Sequence, residues 1–290
     1  MGQLGLGGGR ASEDPRGPLG GAPHPDAPTG LPPPLGGGLV AEGHARVPSA
    51  PNATEIVDIL SHELRSPITT IHLGTKVLLG SGGDIPGAVR NEVVEAVEEE
   101  AERLYRLVEN LLAVARHEGG ANPLELRPLL LQHWIIRVID GEVRADRGLR
   151  VRVAVPADLP PVLADDGALA QVLRNLLLNA ARYAAGGMPV EIVARRPDVH
   201  TLEVEILDRG PGFDPAEQEL LFEPFYRSPS AATIGTGAGL GLTAARRLMR
   251  AMGGDLRAEL RAEGGARFVL VLDVADDDDA DDGRQTSAAA

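Results

Sequence analysis

An apolar residue recurs at every third or fourth position between residues 94 and 115, and this pattern restricts the folds open to the chain. The seven positions are Val94, Val97, Ala101, Leu104, Val108, Leu111 and Ala115. Such a seam is typical of a helix that packs along another helix. A second helical pattern begins near Thr54, and a glycine-rich stretch at residues 80–86 separates the two. We therefore expect an antiparallel helical hairpin.

A single hairpin would leave its apolar stripe half covered. Two chains that pair their hairpins into a four-helix bundle would bury this stripe, so we expect a homodimer. The alternative is a helical subdomain that packs on the rest of the same chain.

The pattern changes after Gly119 and Gly120, where alternating apolar runs typical of strands mix with helical ones. The predicted strands are residues 129–131, 149–155, 190–195, 201–207, 255–260 and 267–274, and the predicted helices are 132–147, 166–183 and 241–252. Residues 213–236 are predicted to be irregular. We expect an α/β sandwich in which one layer of helices covers a mixed sheet, so the fold class is α plus α/β.

Composition divides the 290 residues into four parts. Residues 1–50 hold 13 Gly and 9 Pro and no aromatic residue. They cannot bury enough apolar surface to fold, so they are predicted to be disordered. Residues 51–118 are predicted to form the hairpin domain and residues 125–275 the α/β domain. The acidic run at residues 276–290 is predicted to be a solvated, disordered tail.

The charge and residue content exclude several classes of function. A formal net charge of −14 argues against a nucleic-acid partner, because phosphate contacts need clustered Lys and Arg. Any nucleotide site in such an acidic chain would have to be locally positive. The absence of cysteine excludes disulfides and thiolate metal sites. The sequence shows no run of about 20 apolar residues and no signal-peptide pattern, so we expect a cytoplasmic protein without a membrane span.

His62 stands on the first predicted helix, next to Glu63. At about 100° per residue it sits about 200° around the helix from Leu60 and Leu64, so its ring should face outward. A neutral imidazole is a competent nucleophile toward a phosphoryl group, and the neighbouring carboxylate can accept the ring proton and orient the ring. Pro67 interrupts the helical hydrogen-bond ladder one turn later, which favours a bend. The alternative is an ordinary surface histidine.

Two asparagines lie four residues apart on the helix predicted at 166–183. Asn175 and Asn179 therefore share a face, and Arg182 follows within one turn. Amide oxygens suit Mg²⁺, which keeps several waters and binds mainly through nucleotide phosphates, and the arginine can reach the same phosphates. For either asparagine alone, helix capping or simple surface exposure would be the favoured interpretation.

Asp208 ends a predicted strand and is followed by Gly210 and Gly212. A carboxylate here can accept a hydrogen bond from an exocyclic amine, and glycines let a flat base approach the backbone. A tight turn would explain these glycines equally well. Glycine also recurs at every second position before the last predicted helix, at Gly235, Gly237, Gly239 and Gly241. Backbone amides in such a loop bind phosphate, although the loop lacks the Gly-Lys-Ser/Thr ending of a P-loop.

Taken in this order, these motifs resemble the catalytic core of two-component sensor histidine kinases over residues 54–274. The stretches that carry the resemblance are residues 62–67 for the H box, 175–180 for the N box, 208–212 for the first glycine box, 221–227 for the F box and 237–242 for the second glycine box. The resemblance implies a dimerisation and histidine-phosphotransfer hairpin, followed by a GHKL-type ATP-binding domain with a mobile lid at residues 213–236.

The resemblance also implies roles for single residues. By this likeness His62 accepts the γ-phosphoryl group of ATP, Asn179 coordinates Mg²⁺ and Asp208 recognises adenine. Tyr183 lines the base pocket, and Arg227 on the lid approaches the γ-phosphate. The implied nucleotide-binding set is Asn175, Asn179, Arg182, Tyr183, Asp208, Gly210, Gly212, Arg227, Gly237, Gly239, Leu240 and Gly241.

A response regulator would then take the phosphoryl group onto an aspartate. Ser66 stands where family members often have Thr or Asn for phosphatase activity, so the resemblance does not imply that activity here. Two other functions fit parts of the pattern. They are a GHKL-type protein serine kinase, and a dimeric scaffold that binds nucleotide without phosphotransfer. Neither requires a histidine motif on a dimerising hairpin.

Overall fold

The computed structural model describes residues 52–80, 85–115, 124–142, 149–183, 188–229 and 237–276. The disorder predicted for residues 1–50 and for nearly all of the acidic tail lies outside the described residues. Within the described ranges no helix has the length and apolar character needed to cross a bilayer.

Two long helices form the predicted hairpin. Helix α1 spans Ala53–Gly80 and helix α2 spans Gly87–Ala115. At the start of α1, the Asn52 carboxamide oxygen accepts the backbone N–H groups of Thr54 and Glu55, and the Glu55 carboxylate accepts that of Asn52, which is a capping box. The helix continues through Pro67.

Helices α1 and α2 pack closely at a glycine. A Cβ atom built on Gly74 would lie 2.4 Å from Cγ2 of Val97, so a side chain there would require Val97 to move. Glu63, earlier on α1, pairs with Arg103, later on α2. These two contacts show that the helices run antiparallel, as the sequence predicted.

The α/β domain contains seven strands and three helices within the described residues. In chain order they are β1 (Arg127–Leu129), α3 (Leu131–Glu142), β2 (Val151–Ala154), β3 (Val162–Ala164), α4 (Asp166–Tyr183), β4 (Val190–Arg195), β5 (Thr201–Leu207), α5 (Gly241–Ala251), β6 (Asp255–Leu260) and β7 (Ala266–Asp273). Two short 3-10 turns, Pro215–Glu217 and Leu220–Phe222, lie between β5 and α5.

The main sheet has five strands in the order β2-β4-β5-β7-β6. Strands β2 and β4 are parallel and the other neighbours are antiparallel, so the predicted mixed sheet is confirmed. Strands β1 and β3 form a separate antiparallel pair. A helical hairpin followed by an α/β sandwich is therefore the fold class, as predicted.

The core lies between the helices and one face of the sheet, and it consists mainly of aliphatic side chains. Every second residue of a central strand points into it, for example Leu202, Val204 and Ile206 of β5. Helix α4 contributes Leu169, Val172, Leu173, Leu176 and Leu177, all of which are almost fully buried. Burial of this face leaves the opposite side of α4 for the functional site.

The other face of the sheet is covered by ion pairs. Glu203 and Glu205 of β5 are buried there, and they pair with Arg195 of β4, Arg267 of β7 and, from the strand beyond β7, Arg257 of β6. Charged partners on the same face of the sheet let these carboxylates be shielded without a second layer of helices.

The structure differs from the prediction by more than one residue at four elements. Strand β2, at Val151–Ala154, is shorter than the predicted 149–155. Strand β1 lies two residues earlier than predicted, and strand β3, which follows two prolines, was not predicted at all. Helix α3 ends at Glu142, whereas the prediction extended to residue 147 and falls partly outside the described residues. The β3 segment has only three residues, too few for a period-two pattern to show.

Candidate functional site

A cavity of about 430 Å³ lies between the hairpin and the α/β domain. Most of the predicted site residues line it: Glu63, Asn175, Asn179, Arg182, Tyr183, Asp208, Gly212, Arg227, Gly237, Gly239, Leu240 and Gly241. His62, Ser66 and Gly210 are the predicted site residues that do not line it. The fold therefore brings residues from all five motifs around one space.

Helix α4 supplies one side of this cavity. Its orientation is fixed at its start, where the Asp165 carboxylate accepts the backbone N–H groups of Ala168 at 2.8 Å and Glu125 at 2.9 Å. Because the apolar face of α4 packs on the sheet, Asn179, Arg182 and Tyr183 come to the cavity side. The face that Asn175 and Asn179 were predicted to share lines the cavity, together with Arg182.

Asp208 is held rigidly at the end of β5. Its Oδ1 accepts the backbone N–H groups of Gly210 at 2.8 Å and Ala266 at 3.1 Å, and its side chain is 3% exposed. Its backbone carbonyl accepts a hydrogen bond from Arg261 at 2.8 Å. Among the described residues no donor bonds Oδ2. A buried carboxylate with one oxygen fixed and the other available can accept a hydrogen bond from a ligand amine.

Glycines around Asp208 are required by close contacts. A Cβ on Gly210 would lie 2.6 Å from the carbonyl oxygen of Tyr183, and one on Gly265 would lie 2.2 Å from that of Asp208. The turn between β6 and β7 therefore closes directly behind the carboxylate.

The second glycine-rich stretch packs on the residues that precede it. Gly239 has a φ of +71°, and its carbonyl accepts the N–H of Phe225 at 3.0 Å. Phe225 itself has a φ of +65°, which is uncommon for a residue with a side chain. A Cβ on Gly237 would lie 2.9 Å from Nη1 of Arg182. The stretch at residues 237–242 therefore contacts both α4 and the F box, at the point where α5 begins.

The residues before this stretch are fixed by polar and aromatic contacts. The Arg246 guanidinium of α5 lies 4.4 Å from the centre of the Phe222 ring, and it also pairs with Glu219 at 2.7 Å. The Ser228 hydroxyl donates to Glu217 at 2.6 Å. Burial raises the pKa of Tyr226 to about 12, and the Glu217 carboxylate adds to the rise, so the phenol stays protonated near neutral pH.

The hairpin supplies the facing side of the cavity. Glu63 and Pro67 come from α1, and a polar stripe comes from α2: Glu99, Glu100, Arg103, Arg106 and Asn110. Glu63 pairs with Arg103, with 3.0 Å between Oε2 and Nη2.

His62 is exposed, as its spacing predicted, but it lies beside the cavity. Glu63 and Pro67 are four residues apart and share the stripe of α1 that faces the cavity. His62 and Ser66 occupy the adjacent stripe, about 100° around the helix. The expected contact between the histidine and Glu63 is replaced here by the ion pair of Glu63 with Arg103.

Hydrogen bonds join α2 to the α/β domain. Asn110 Oδ1 accepts the amides of Asn175 at 2.9 Å and Gln171 at 3.2 Å, and the Asn175 amide also donates to the carbonyl of Gly241 at 3.2 Å. Arg247 of α5 donates to the backbone carbonyl of Val114. Asn175 thus links the hairpin to the glycine-rich stretch.

The charge of the cavity differs from the expectation of a locally positive site. The α/β domain contributes Arg182 and Arg227 against Asp208. The hairpin contributes two arginines, Arg103 and Arg106, against three glutamates, Glu63, Glu99 and Glu100. Positive charge therefore prevails on the α/β side and negative charge on the hairpin side.

Sequence reasoning missed the polar stripe of α2. Its members Glu99, Arg103, Arg106 and Asn110 are spaced by four, three and four residues, which places them on one helix face. This spacing is visible in the sequence, but the helix was interpreted only from its apolar seam, which indicated dimerisation. Gly265 carried no pattern that would have selected it, and nothing in the F box at residues 221–227 predicted the left-handed backbone of Phe225.

The fold and the site together define a two-domain protein in which an α/β domain with a nucleotide-type cavity joins a histidine-bearing helical hairpin. The family model of the His Kinase A (phospho-acceptor) domain matches residues 53–120. That of the histidine kinase-, DNA gyrase B-, and HSP90-like ATPase matches residues 164–276. The chain therefore contains the phospho-acceptor domain and the ATPase domain that together make up the core of a sensor histidine kinase.

Named relatives agree with this assignment. Over 230 residues the chain is 32% identical to the signal transduction histidine-protein kinase AfsQ2 of Streptomyces coelicolor, covering 73% of this chain and 40% of that protein. Over 221 residues it is 33% identical to the histidine-protein kinase/phosphatase MprB of Mycolicibacterium paratuberculosis, covering 72% and 40%. The chain spans less than half the length of these curated relatives.

A solved structure shares the arrangement. The crystal structure of full-length ShkA in complex with AMPPNP matches with a TM-score of 0.54 and 30% identity, over 77% of this chain and 46% of that chain.

We predict that Gly239→Ala destabilises the α/β domain. The new Cβ would lie 2.6 Å from the carbonyl oxygen of Tyr226, and a φ of +71° disfavours a side chain. We expect a loss of roughly 1–3 kcal/mol in the free energy of unfolding. Denaturant titration followed by tryptophan fluorescence measures it, since the single tryptophan, Trp134, is buried in this domain.

Gly87→Ala is the matched control for this substitution. A Cβ at Gly87 meets nothing within 4 Å, and the residue begins a helix. This variant should be unchanged or up to about 1 kcal/mol more stable. Equal unfolding midpoints for the two variants would contradict the close contact at Gly239.

Proposed function

We propose that the chain is an ATP-dependent protein-histidine kinase that phosphorylates His62 and passes the phosphoryl group to an aspartate of a response regulator. One observation carries the proposal. A single cavity is lined both by the Asp208, Asn179 and glycine motifs of the ATPase-family domain and by Glu63, the residue next to His62.

Adenine recognition is assigned to Asp208. The Oδ2 atom of this residue can accept a hydrogen bond from the 6-amino group of adenine, while Oδ1 is fixed by two backbone N–H groups. Tyr183 and Gly212 line the cavity beside it, and Gly237, Gly239 and Arg227 are assigned to the phosphates.

Mg²⁺ is assigned to Asn179. This side chain lines the cavity, and none of the described residues forms a hydrogen bond with its amide, so its oxygen is available as a hard, neutral ligand. Bound Mg²⁺ would neutralise part of the phosphate charge. Asn175 is less suited, because it is buried and because the hydrogen bonds that its Nδ2 donates to Asn110 and Gly241 fix its side chain between the hairpin and the glycine-rich stretch.

In the transfer step one ring nitrogen of His62 attacks the γ-phosphorus, the bond to the β,γ-bridging oxygen breaks, and ADP leaves. The proton on the other ring nitrogen passes to the Glu63 carboxylate. His62 lies on the side of α1 next to the side that faces the cavity. The α/β domain therefore has to move around α1 to the His62 side before in-line attack can occur. The contacts of Asn110 with Gln171 and Asn175 are those that the shift would change.

A homodimer is proposed from the apolar surface of the hairpin. Side chains on both helices are exposed in the single chain, including Ile68, Leu73, Val94, Val108 and Leu112, with exposed fractions of 43–55%. A second hairpin would cover this surface in a four-helix bundle.

We predict that Asp208→Ala lowers ATP affinity roughly tenfold or more, because a hydrogen bond to a charged group is lost. Inosine triphosphate, which lacks the 6-amino group, should bind both variants equally. Isothermal calorimetry on the full chain measures both affinities. If the variant still prefers ATP over inosine triphosphate, the adenine assignment is wrong.

Asn179→Ala provides the contrast in the same titration. Its loss of ATP affinity should appear with Mg²⁺ and disappear when EDTA is present. An equal loss in both conditions would argue against a role in magnesium binding.

We predict that His62→Gln abolishes covalent labelling from γ-labelled ATP and preserves ATP affinity. The label on the unmodified chain should be lost in acid and persist in base, as expected for a phosphorus–nitrogen bond. His72→Gln, an exposed histidine on the same helix, is the matched control and should keep the label. Glu63→Gln should slow labelling roughly 100-fold or more.

The outcome also tests the serine-kinase alternative. Acid-stable label that survives in His62→Gln would favour that function. In the unmodified chain, transfer of label to an added receiver protein after removal of ATP would support the relay step.

We predict that Val108→Glu converts the dimer to a monomer, because the residue is 43% exposed on the hairpin. Val199→Glu, on a turn of the α/β domain where the side chain is 66% exposed, should leave the dimer intact. Light scattering measures the mass of each. A monomeric unmodified chain would refute the dimer.

A further inference from the structure

We propose that Arg103 is a positioning residue that holds Glu63 until nucleotide binds and then moves onto the triphosphate, which frees Glu63 for His62. The inference rests on the proposed kinase function and adds a residue that no motif includes. Arg103 acts through Glu63 in one position and contacts the phosphates in the other.

The first observation is the pairing of Arg103. Its Nη2 lies 3.0 Å from Oε2 of Glu63, and its Nη1 lies 3.6 Å from Oε2 of Glu100. The three side chains are 31%, 12% and 23% exposed, so water screens the pairs only in part. One guanidinium therefore serves two carboxylates at the edge of the cavity.

The second observation is the charge on the hairpin side. Three glutamates and two arginines line it, and Arg106 is already paired with Glu102 at 3.4 Å. Without Arg103, the carboxylates of Glu63 and Glu100 would face an incoming triphosphate without a partner. Their repulsion would oppose nucleotide binding in this arrangement of the two domains.

The third observation concerns Glu63 itself. A carboxylate that receives the His62 proton has to be available to the imidazole, whereas here it accepts the guanidinium of Arg103. Phosphate oxygens are strong acceptors for arginine and can bind its fork with two hydrogen bonds. Because Arg103 lines the same cavity as Arg182 and Arg227, a bound triphosphate competes with Glu63 for it. The substrate then makes the proton acceptor available.

The first test measures ATP affinity by calorimetry on the full chain. Arg103→Gln should weaken Mg²⁺·ATP binding roughly tenfold, and the double variant Arg103→Gln with Glu63→Gln should recover only the part caused by the unpaired charge of Glu63, remaining roughly threefold weaker than the unmodified chain. Arg127→Gln removes the same charge from a pair with Glu125 outside the cavity, and it should have no effect. Unchanged affinity in Arg103→Gln overturns the proposal.

A second variant covers the case in which Arg103→Gln does not fold. Glu63→Gln alone removes the competitor for Arg103, so it should tighten ATP binding by roughly threefold or more. Unchanged or weaker ATP binding in Glu63→Gln overturns the proposal independently of any change at Arg103.

The kinetic test separates this role from a structural one. In Arg103→Gln the KM for ATP should rise roughly tenfold, while the labelling rate at saturating ATP stays within about threefold of the unmodified chain. A rate lowered more than tenfold at unchanged KM would show that Arg103 orients Glu63 during transfer, and it would overturn the release step.

Failure of the proposed kinase function has a different signature. In that case the unmodified chain takes up no label although it binds ATP. The two calorimetric comparisons then still decide whether Arg103 contacts the triphosphate.

Discussion

The packing of helix α4 on the sheet determines how the rest of the site is built. Leu169, Val172 and Leu176 occupy the core, and the Asp165 carboxylate fixes the first turn of the helix. Because one face of α4 is buried, the 3.6-residue period of the helix is enough to place Asn179 and Arg182 on the cavity side. The Arg182 guanidinium then meets Gly237, which brings the glycine-rich stretch to the same space.

Two domains build the cavity together, and the residues with which they line it carry opposite charge. The α/β side supplies the fixed carboxylate of Asp208 and two arginines, whereas the hairpin side supplies more carboxylates than arginines. Amide hydrogen bonds between Asn110 and Asn175 hold the two sides together. Neutral amide contacts of this kind are modest in free energy, so they can be exchanged when the domains move. In a chain with a net charge of −14, positive charge therefore prevails only on the α/β side of the cavity, at Arg182 and Arg227.

The sequence predicted regular elements well wherever a long period was present. Helix α4 and strands β4, β5 and β6 have the predicted bounds, because each repeats its apolar pattern between clear start and stop residues. Strand β3 and the position of β1 were missed, since three residues that pair with a distant segment carry no period of their own. The left-handed backbone of Phe225 was also not predicted, because it accompanies a hydrogen bond with Gly239, a residue outside its local sequence pattern.

By itself the sequence determined which residues we propose for the chemistry, because the order and spacing of the motifs are local properties of the chain. It also determined that His62 faces outward, since the apolar residues of its helix occupy the other side. Only the tertiary structure decided what each side chain meets. The pairing of Glu63 with Arg103 joins residues 40 positions apart, and the cavity faces the helical stripe next to His62. Contacts of this kind arise from how α2 and the α/β domain pack, which no local pattern encodes.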